Sequence, residues 1–260
     1  MKTKTVSSGY RGITADQVEA IAAAGPDCDS MLWCRRNKVW RSHIDGTDVV
    51  VKSFGSAFMG EAVYALRTSK ARRSYEYACE IRRRGFDSPV PIGYIERRGT
   101  AGVLLESAYI CAYSPAVALE DAIASYGHDC TRAFADYAAA LHEAGIRHDD
   151  LNSTNVRVSR QSDGSFRFSL IDLNRMRIYP PGVKLPMHEC FINVSRFTYD
   201  REVMEVFARA YAKARALPES YADVIVETKL DFDRRFFRRK DALHALGRVF
   251  GIKSARNKKK

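Results

Sequence analysis

No stretch of the sequence is long and apolar enough to cross a membrane, because no run of eighteen or more apolar residues occurs. The N-terminal segment MKTKTVSSGYRGITAD lacks the apolar core of a secretory signal, so we expect a cytoplasmic protein. The cysteines form no C-x-x-C pair and have no histidine cluster beside them, which argues against a disulfide framework or a zinc site. We expect reduced, mostly packed thiols at Cys28, Cys34, Cys79, Cys111, Cys130 and Cys190.

Acidic residues are too few to balance the basic ones, since 42 Lys and Arg face 31 Asp and Glu, a net charge of +11. Such a charge favours an anionic partner: nucleic acid, an anionic membrane surface or a phosphorylated substrate. A net positive charge can also serve only to keep the protein soluble. The charge alone therefore does not identify the partner. The hydrophobic content of 46% is that of a folded protein, and 260 residues suffice for one large domain or two lobes.

Strands are predicted in MLWCRRNKVWRSHIDGTDVVVKSF, residues 31–54, where apolar and polar residues alternate. The alternation breaks at Asn37-Lys38 and at Asp45-Gly46, which predicts a three-stranded antiparallel meander. A helix is predicted in KARRSYEYACEIRRRG, where Gly85 closes it. Two further strands are predicted in VPIGYIERRG and AGVLLESAYICAY.

The composition turns from strand-rich to helix-rich after Ser114-Pro115, so we place a boundary between two lobes near Tyr113. In the second lobe, AFADYAAALHEAG carries its apolar residues on one helical face and ends at Gly145. The segment from Phe197 onward is also predicted to be largely helical. The predicted divisions are an N-terminal extension (1–29), a first lobe (30–113), a second lobe (114–252) and a basic tail (253–260).

Polar side chains crowd together in HDDLNSTNV, residues 148–156, just past the middle of the chain. The cluster contains Asp149, Asp150, Asn152 and Asn155. Such a cluster could be a solvated turn, a helix cap or the centre of an enzyme. The segments that follow it bear on the choice.

Two alternating segments, NVRVS and SFRFSLID, follow the polar cluster and are joined around Asp163-Gly164, which is a strong hairpin signal. If the turn is centred between these two residues, Asn155 lies opposite Asp172 across the hairpin, with both side chains on one face. A register shift of one residue would break this pairing. The hairpin therefore predicts that an amide and a carboxylate meet beside Asp150.

One Asp that accepts a proton, together with an Asn and a second Asp that hold divalent cations, is what phosphoryl transfer needs. The cations neutralise the phosphate charge, and the first Asp orients the attacking hydroxyl. Mg²⁺ keeps several of its waters and takes only one or two carboxylates from the protein, which suits so sparse a set of ligands.

HDDLNSTN resembles the catalytic loop His-x-Asp-Leu-x-x-x-Asn of the protein-kinase-like fold, and LIDLNR resembles its metal-binding motif. The resemblance implies an α+β, two-lobed protein-kinase-like fold with a strand-rich N-lobe and a helix-rich C-lobe. It implies that Asp150 is the catalytic base, that Asn155 and Asp172 are the metal ligands, and that the cofactors are ATP and Mg²⁺.

The same fold requires a lysine on a strand of the first lobe, and VVVKSF supplies Lys52 in an apolar strand context. In that fold the lysine holds the α- and β-phosphates and pairs with a glutamate of the following helix. The resemblance makes Glu76 the best candidate for this glutamate, with Glu80 one turn later as the alternative.

Within this fold, the sequence is similar to the bacterial lipopolysaccharide core kinases, the Kdo/heptose kinase family. Four segments carry the similarity in the expected order, and a later NVSRF also resembles a family segment. The resemblance spans roughly residues 30–200 and implies an ATP-dependent kinase of a Kdo or heptose hydroxyl, with lipopolysaccharide or a lipid A–core sugar as acceptor. The four segments are RNKVWRSHIDGTDVVVKSF, KARRSYEYACEIRRRGFDSPVPIGYIE, LHEAGIRHDDLNSTNV and LIDLNRMR.

The chain departs from the protein-kinase pattern in three places. No G-x-G-x-x-G loop precedes Lys52, so phosphate cover is expected from a tighter turn with help from Arg36 or Lys38. Asn174 replaces the usual glycine after the metal-binding Asp, a change that the family tolerates. No A-P-E segment follows, which argues against a long activation loop and against recognition of an extended peptide.

Other polar residues near the motifs receive simpler interpretations. His148 is expected to be structural and hydrogen-bonded to backbone, Asp149 to lie at the surface, and His142 to pack at the end of its helix. The Asn152 side chain could bridge the base to substrate or phosphate, or could stabilise the loop.

The C-terminal DFDRRFFRRK predicts one helical face with Phe232 and Phe236, continued by Leu243, and core packing is the favoured role for that face. The arginines between them would form a basic outer face. With the basic tail they could make a peripheral contact with the anionic inner membrane at its cytoplasmic side, although a solvated charge run is the default. The tail residues concerned are Lys253, Arg256 and Lys258–Lys260.

Two other functions stay open from the sequence. The acceptor could be a small molecule, as in aminoglycoside-type kinases, or a serine side chain, as in atypical protein kinases. The chain could also be a non-catalytic nucleotide-binding scaffold, although it retains every motif residue. Nucleic acid is not expected as a partner, because no basic–aromatic recognition motif accompanies the charge.

Overall fold

The computed structural model describes residues 1–35, 37–55 and 68–249. Arg36, the side chain of Leu243 and the basic tail 253–260, which figure in the predictions above, lie outside the described part. Among the described helices, none is both long enough and apolar enough to cross a membrane.

Six strands form one antiparallel sheet in the first part of the chain. They are β1 (Lys2–Ser7), β2 (Met31–Cys34), β3 (Asn37–Ile44), β4 (Thr47–Phe54), β5 (Pro91–Arg98) and β6 (Leu104–Ala112). Their order across the sheet is β1-β5-β6-β4-β3-β2. The predicted meander is confirmed as β2, β3 and β4, and its second turn pairs Ile44 with Thr47. Asp45 and Gly46 both have positive φ, which suits this two-residue hairpin turn.

Residues 1–29, predicted as a separate extension, contribute to this sheet instead. Strand β1 pairs with β5 over its whole length, from Lys2 opposite Arg98 to Ser7 opposite Gly93. The segment KTKTVS has little apolar periodicity, so the strand could not be recognised from the sequence. Helix α1 (Ala15–Ala24) then packs on β5, where the missing side chain of Gly93 permits close contact: a Cβ there would lie 3.0 Å from the Val18 side chain of α1 and 2.4 Å from the Val6 carbonyl oxygen of β1.

The two faces of β4 have different surroundings because successive side chains alternate. Val49 and Val51 are fully buried in a cluster on the α1 side of the sheet. Lys52 therefore lies on the opposite face, where helix α2 (Lys70–Arg83) packs. This helix was predicted, and it ends before Gly85, whose φ is 86°. Because of this alternation, the Lys52 side chain points away from the cluster that contains Val49 and Val51.

The second part of the chain is mainly helical. Its helices are α3 (Leu119–Glu143), α4 (Met187–Val194), α5 (Arg201–Ala214) and α6 (Ser220–Val249). Its short strands are β7 (Val117–Ala118), β8 (Ile146–His148), β9 (Val156–Arg160), β10 (Phe166–Leu170) and β11 (Met176–Ile178). The core centres on Phe134 of α3, whose ring lies 5.0 Å from that of Phe197 and 5.7 Å from that of Phe207.

The hairpin of β9 and β10 forms, but its register differs by one residue from the prediction. Phe166 pairs with Arg160 and Leu170 with Val156, so the turn is centred on Asp163. Its Gly164 has a φ of 85°, typical of a three-residue loop, whereas the prediction assumed a two-residue turn. Asn155 consequently faces Ile171 rather than Asp172, and the predicted cross-strand pair is wrong.

Helix α6 leaves the body of the molecule toward its C-terminal end, where residues 234–242 are all exposed. The expected core packing of its aromatic face is therefore wrong for Phe236, which is 42% exposed, although Phe232 is half-buried. Sequence periodicity reports which residues share a face, but it does not report whether a neighbouring element covers that face.

Candidate active site

Lys52 and Asp172, 120 positions apart in sequence, form an ion pair. The Lys52 Nζ lies 2.7 Å from the Asp172 Oδ1, and both side chains are partly buried. Strand β4 supplies the lysine, and the short segment between β10 and β11 supplies the aspartate. The structure therefore brings together the predicted phosphate-binding lysine and one predicted metal ligand.

Asp172 has a left-handed backbone, with φ 59° and ψ 44°. Aspartate tolerates this conformation better than most residues, and such positions are enriched at functional sites. Burial by itself would raise the pKa of the Asp172 carboxyl, but the charge and hydrogen bond of Lys52 outweigh burial and lower the pKa. The carboxylate is therefore held in the ionised form that binds a cation.

Asn174, which stands where protein kinases have glycine, is buried and donates a hydrogen bond from its Nδ2 to the Asp172 Oδ1. This contact gives the replacement a physical role, because the amide orients the carboxylate. Sequence comparison with the kinase motif identified the departure but not its function.

His148 anchors the loop that carries the predicted base. Its Nε2 donates to the Ile171 carbonyl oxygen at 2.8 Å, and its Nδ1 accepts from the Asp150 backbone N–H at 3.2 Å. Burial lowers the pKa of His148, so the ring is neutral and can both donate and accept. The structural role expected for His148 agrees with these contacts.

Asn152 and Asn155 shape the remainder of the loop. The Asn152 Oδ1 accepts from the backbone N–H groups of Thr154 and Asn155, while its Nδ2 lies 3.3 Å from the Asp150 Oδ1. Asn152 therefore stabilises the loop and also contacts the predicted base. The Asn155 Nδ2 donates to the Asp150 carbonyl oxygen at 2.9 Å, which leaves the oxygen end of that amide for a cation.

Asn155 and Asp172 come close through their shared neighbour rather than as strand partners. The Ile171 backbone N–H donates to the Asn155 carbonyl oxygen at 3.0 Å, and the Ile171 carbonyl oxygen accepts from His148. Both backbone groups of Ile171 are thus tied to the catalytic-loop segment. Asp172 follows directly, so its position depends on these two hydrogen bonds.

Two arginines approach the carboxylate of Asp150, one at each oxygen. The Arg196 Nη1 lies 3.3 Å from Oδ1, and the Arg175 Nη1 lies 3.9 Å from Oδ2. The sequence patterns predict neither contact, although both arginines lie in segments that resemble the family, NVSRF and LIDLNR. Spacing along the sequence does not show that two separate segments converge on one carboxylate.

Asp149, expected at the surface, is only 22% exposed and lies between two arginines. The Arg147 Nε lies 2.7 Å from its Oδ1, and the Arg177 Nε lies 3.0 Å from its Oδ2. Arg147 belongs to β8 and Arg177 to β11, and these two strands are paired. The Asp149 carboxylate therefore links the two strands through their arginines. Its neighbour Asp150 is the carboxylate that faces the open space.

Glu76 does not meet Lys52 in this structure. The Glu76 carboxylate lies 2.7 Å from the Arg72 Nε on the exposed side of α2, and the alternative, Glu80, pairs with Arg83 and Arg84. The buried residues of α2 are Ala71, Ser74, Ala78 and Ile81, and a 100° turn per residue places Glu76 opposite them. The predicted Lys52–Glu76 pair is therefore replaced by the Lys52–Asp172 pair.

A cavity of about 730 Å³ opens beside Asp150, between the catalytic loop, α3 and α6. Its size suits a small ligand. Its walls combine aromatic rings, hydroxyl groups and a few charges. The lining residues that bear on the chemistry are Glu120, Asp150, Arg196, Tyr199, Asp200, Phe232 and Phe236.

A buried polar chain supports the loop from below. The Tyr211 hydroxyl lies 2.6 Å from the His142 Nδ1, the His142 Nε2 lies 2.9 Å from the Asn193 Oδ1, and the Asn193 Nδ2 donates to the His148 carbonyl oxygen at 2.7 Å. Burial lowers the pKa of His142 to about 4, so the ring is neutral. His142 was expected only to pack at the helix end, but it also joins three elements.

Comparison with protein families gives a match to the model described as the lipopolysaccharide kinase (Kdo/WaaP) family, over residues 51–184. The match spans about half of the chain and contains Lys52, Asp150, Asn155 and Asp172. The chain belongs to the lipopolysaccharide kinase (Kdo/WaaP) family. It is therefore a phosphotransferase that acts on a hydroxyl group and uses ATP. No curated protein matches the sequence significantly.

The fold of this kinase is supported by one solved structure. The structure described as WaaP in complex with acyl carrier protein is similar, with a TM-score of 0.62 and 16% identity, covering 92% of this chain and 99% of that chain. The Rio2 kinase–ADP/Mg²⁺–phosphoaspartate complex from Chaetomium thermophilum has a TM-score of 0.44 and 14% identity, covering 82% and 65%. The kinase has a protein-kinase-like fold, as predicted.

Asp172 and Asn155 fit a Mg²⁺ ion by their chemistry. The first is an ionised carboxylate with a lowered pKa, and the second presents an amide oxygen, which are the hard oxygen ligands that this ion prefers. In the described part of the chain, no group of three or more His, Cys, Asp and Glu side chains could hold a metal. A Mg²⁺ site made of these two residues would be completed by water and phosphate oxygens.

Proposed function

We propose that this kinase transfers the γ-phosphoryl group of ATP to a hydroxyl of the lipopolysaccharide inner core, on Kdo or a heptose. The observation that carries the proposal is the position of Asp150. Its carboxylate lines the cavity beside α6, while its loop is hydrogen-bonded to Ile171, the residue before Asp172. An acceptor hydroxyl in the cavity would therefore meet a phosphoryl donor held near Lys52 and Asp172.

Each residue of the site receives a role in this reaction. Asp150 accepts the proton of the sugar hydroxyl as that hydroxyl attacks the γ-phosphorus in line with the departing ADP oxygen. Lys52 binds the α- and β-phosphates through the N–H donors that its contact with Asp172 leaves free. Asp172 and Asn155 would hold Mg²⁺, which would supply positive charge against the phosphates.

The turn between β2 and β3 is our candidate for phosphate cover in place of a glycine-rich loop. In it, the Arg35 backbone N–H donates to the Asn37 carbonyl oxygen at 3.1 Å. Val39 is the register partner of Lys52, whereas Lys38 is exposed and pairs with Ser53, so the Lys38 side chain starts from the opposite face of the sheet. The proposed cover therefore rests on the turn itself, and Lys38 would have to reach the phosphates around the edge of the sheet.

The exposed end of α6 supports a peripheral contact with an anionic membrane, where a lipid-linked acceptor resides. Four exposed arginines flank Phe237 in sequence, and Phe237 itself is 46% exposed. Each basic residue near an anionic surface contributes about 1 kcal/mol. Sedimentation with vesicles that contain anionic lipid tests the contact, and binding equal to that on neutral vesicles would contradict it. The arginines are Arg234, Arg235, Arg238 and Arg239.

The function is tested by incubating the kinase with labelled ATP and a panel of acceptors, and analysing the products by mass spectrometry. The panel contains lipid A carrying Kdo, the same lipid extended with heptose, an aminoglycoside and a generic protein substrate. We expect one added phosphate on a Kdo or heptose residue only. Transfer to the drug or to the protein, or no transfer to either lipid beside an active reference kinase, would overturn the proposed acceptor.

A further inference from the structure

Among the residues described as lining the cavity, Arg196 is the one with a permanent positive charge. It lies after α4 and its side chain is 39% exposed, so the guanidinium can reach a molecule in the cavity. The guanidinium carbon lies 5.4 Å from the centre of the Phe232 ring, a cation–π contact that holds it against the wall. A cation fixed at this place is available to an anionic ligand.

Besides Asp150, the other two carboxylates of the cavity are also engaged with the protein. The Glu120 Oε2 accepts from the Ser153 hydroxyl at 2.9 Å, and the Asp200 Oδ1 accepts from the Val203 backbone N–H at 3.0 Å. Both retain acceptor capacity for the hydroxyl groups of a sugar. The cavity is therefore suited to a sugar that carries a negative charge. Its aromatic rings can pack against the sugar ring, its carboxylates can accept hydrogen bonds from hydroxyl groups, and its arginine can bind the anionic group.

Arg196 and Arg175 differ in the side from which they reach Asp150. Arg175 follows Asp172 in the segment predicted to bind metal, and it is not among the residues that line the cavity. Arg196 does line the cavity, and it approaches the other carboxylate oxygen. Arg175 is therefore placed toward the nucleotide and Arg196 toward the acceptor.

We propose that Arg196 binds an anionic group, a carboxylate or a phosphate, on the acceptor sugar. The inference rests on the proposed function in one respect, that the acceptor occupies this cavity. A guanidinium forms paired hydrogen bonds with either group, and its single 3.3 Å contact with Asp150 leaves most of its donors free. When Arg196 turns to the acceptor, the Asp150 Oδ1 keeps its contact with the Asn152 amide and gains an acceptor position for the sugar hydroxyl.

The role proposed for Arg196 limits which sugars can be the acceptor. Kdo is a sugar acid with a carboxylate, whereas heptose is neutral unless it is phosphorylated. A neutral heptose would leave the Arg196 guanidinium without its partner, and a site built around a polar group rejects a ligand that lacks its complement. The charged wall thus favours Kdo or a phosphorylated heptose over an unmodified heptose.

Equilibrium binding to the full-length kinase, with a non-hydrolysable ATP analogue present, tests the proposal without requiring turnover. Four ligands are compared by calorimetry: a Kdo disaccharide, its carboxyl-reduced analogue, a heptose phosphate and the neutral heptose. We expect the wild type to bind at least one anionic sugar about tenfold or more tightly than its neutral counterpart. The carboxyl and phosphate pairs show which anion is recognised.

Arg196→Met should remove this preference, whereas Arg132→Met should keep it. Arg132 is the matched control, because it is a surface arginine that pairs with an aspartate, 3.0 Å from the Asp129 Oδ1, and does not line the cavity. Arg196→Lys keeps the charge and should retain part of the preference. The Kd of the ATP analogue should be unchanged in all three variants.

Equal binding of the charged and neutral sugars by the wild type would overturn the inference, and so would an undiminished preference in Arg196→Met. The comparison of charged and neutral sugars uses the wild-type protein only, so its result does not depend on whether a variant folds. A loss confined to ATP-analogue binding in Arg196→Met would assign the arginine to the nucleotide and also overturn it. Failure of phosphoryl transfer with intact charge-selective binding would remove the proposed function but leave this inference standing.

Discussion

The two sides of Asp150 are built differently. Toward the predicted nucleotide site, Lys52 and Asn174 are both hydrogen-bonded to Asp172, and none of the three side chains is more than one-third exposed. Toward the cavity, Tyr199 is 66% exposed and Phe236 42% exposed. One side is an interlocked ionic cluster, and the other is a wall of open aromatic and charged groups.

This difference indicates which half of the reaction is prepared before substrates arrive. Interlocked groups need little reorganisation to receive phosphates and a cation, which is how preorganised electrostatics lowers a barrier. Open side chains can adjust to the shape of an acceptor, at a cost in ordering them. We therefore expect variants on the nucleotide side to affect the chemical step, and variants on the cavity side to affect acceptor binding.

The largest effect that tests this contrast is expected for Lys52→Met. The change removes the cation that we propose binds the phosphates, and it also leaves the partly buried Asp172 without its ion pair with Lys52. We expect kcat/KM for ATP to fall about 100- to 1,000-fold, while acceptor Kd changes little, as measured by steady-state kinetics and calorimetry. Lys4→Met, an exposed lysine on β1 of the same sheet, serves as control. An equal loss in acceptor affinity would break the contrast.

A buried chain of hydrogen bonds, from Tyr211 through His142 and Asn193 to His148, supports the loop that carries Asp150. Because this chain contains a buried histidine, it predicts that the free energy of unfolding depends on pH. His142 has a pKa of about 4 in the folded protein against an ordinary value of 6.5, because burial disfavours its charged form. Its contribution is full above pH 6.5 and is lost as the pH falls toward 4, since only the unfolded chain then binds the proton. At pH 5 the loss is about 2 kcal/mol.

Urea unfolding at pH 7.5 and pH 5 measures this loss. His142→Gln should be less stable than the wild type at pH 7.5 but should lose about 2 kcal/mol less on acidification. The comparison isolates His142 from His148, whose pKa burial also lowers. Parallel pH profiles for the two proteins would show that His142 does not stay neutral in the folded state.

A smaller effect is expected for Asn174→Gly, which restores the glycine of the kinase motif. The change removes the amide that orients the Asp172 carboxylate. We expect the Mg²⁺ concentration for half-maximal activity to rise about tenfold, as for other groups that orient a metal ligand. A titration of activity with Mg²⁺ measures it, and an unchanged midpoint would mean that the Asn174 amide does not orient the Asp172 carboxylate for the ion.

The smallest effect is expected for Glu76→Gln. Glu76 pairs with Arg72 on the exposed side of α2, and such surface pairs contribute at most about 1 kcal/mol to stability. The rate of phosphoryl transfer should stay within about twofold of the wild type. A loss approaching that of Lys52→Met would instead mean that nucleotide binding brings Glu76 to Lys52, as the kinase resemblance first implied.

Much of the nucleotide side could be predicted because its residues lie in short, strongly patterned segments. VVVKSF is an alternating strand with one charged residue, and HDDLNSTN and LIDLNR hold their residues at fixed spacings. The meander and helix α2 were recognised for the same reason. Local patterns such as these identify the strands, the loop and the residue types without reference to distant parts of the chain.

The cavity side could not be predicted because it depends on contacts between distant segments. Arg196 reaches Asp150 across 46 positions, and the covering of Phe232 and Phe236 depends on where α6 lies. Even within the β9–β10 hairpin the sequence did not determine the register. The loop has one residue more than predicted, so Asn155 lies opposite Ile171 instead of Asp172. Strand β1 was missed because KTKTVS lacks periodicity, although its pairing with β5 is complete.

The measurement that tests the central claim most directly is single-turnover phosphoryl transfer by Asp150→Asn. The substitution keeps the shape of the side chain but replaces one acceptor oxygen with an NH2 donor and removes the proposed base for the hydroxyl proton. With labelled ATP and saturating lipid acceptor, we expect transfer to slow about 1,000-fold while the Kd for ATP stays within about twofold. Transfer within tenfold of the wild-type rate would contradict the assignment of Asp150 as the base.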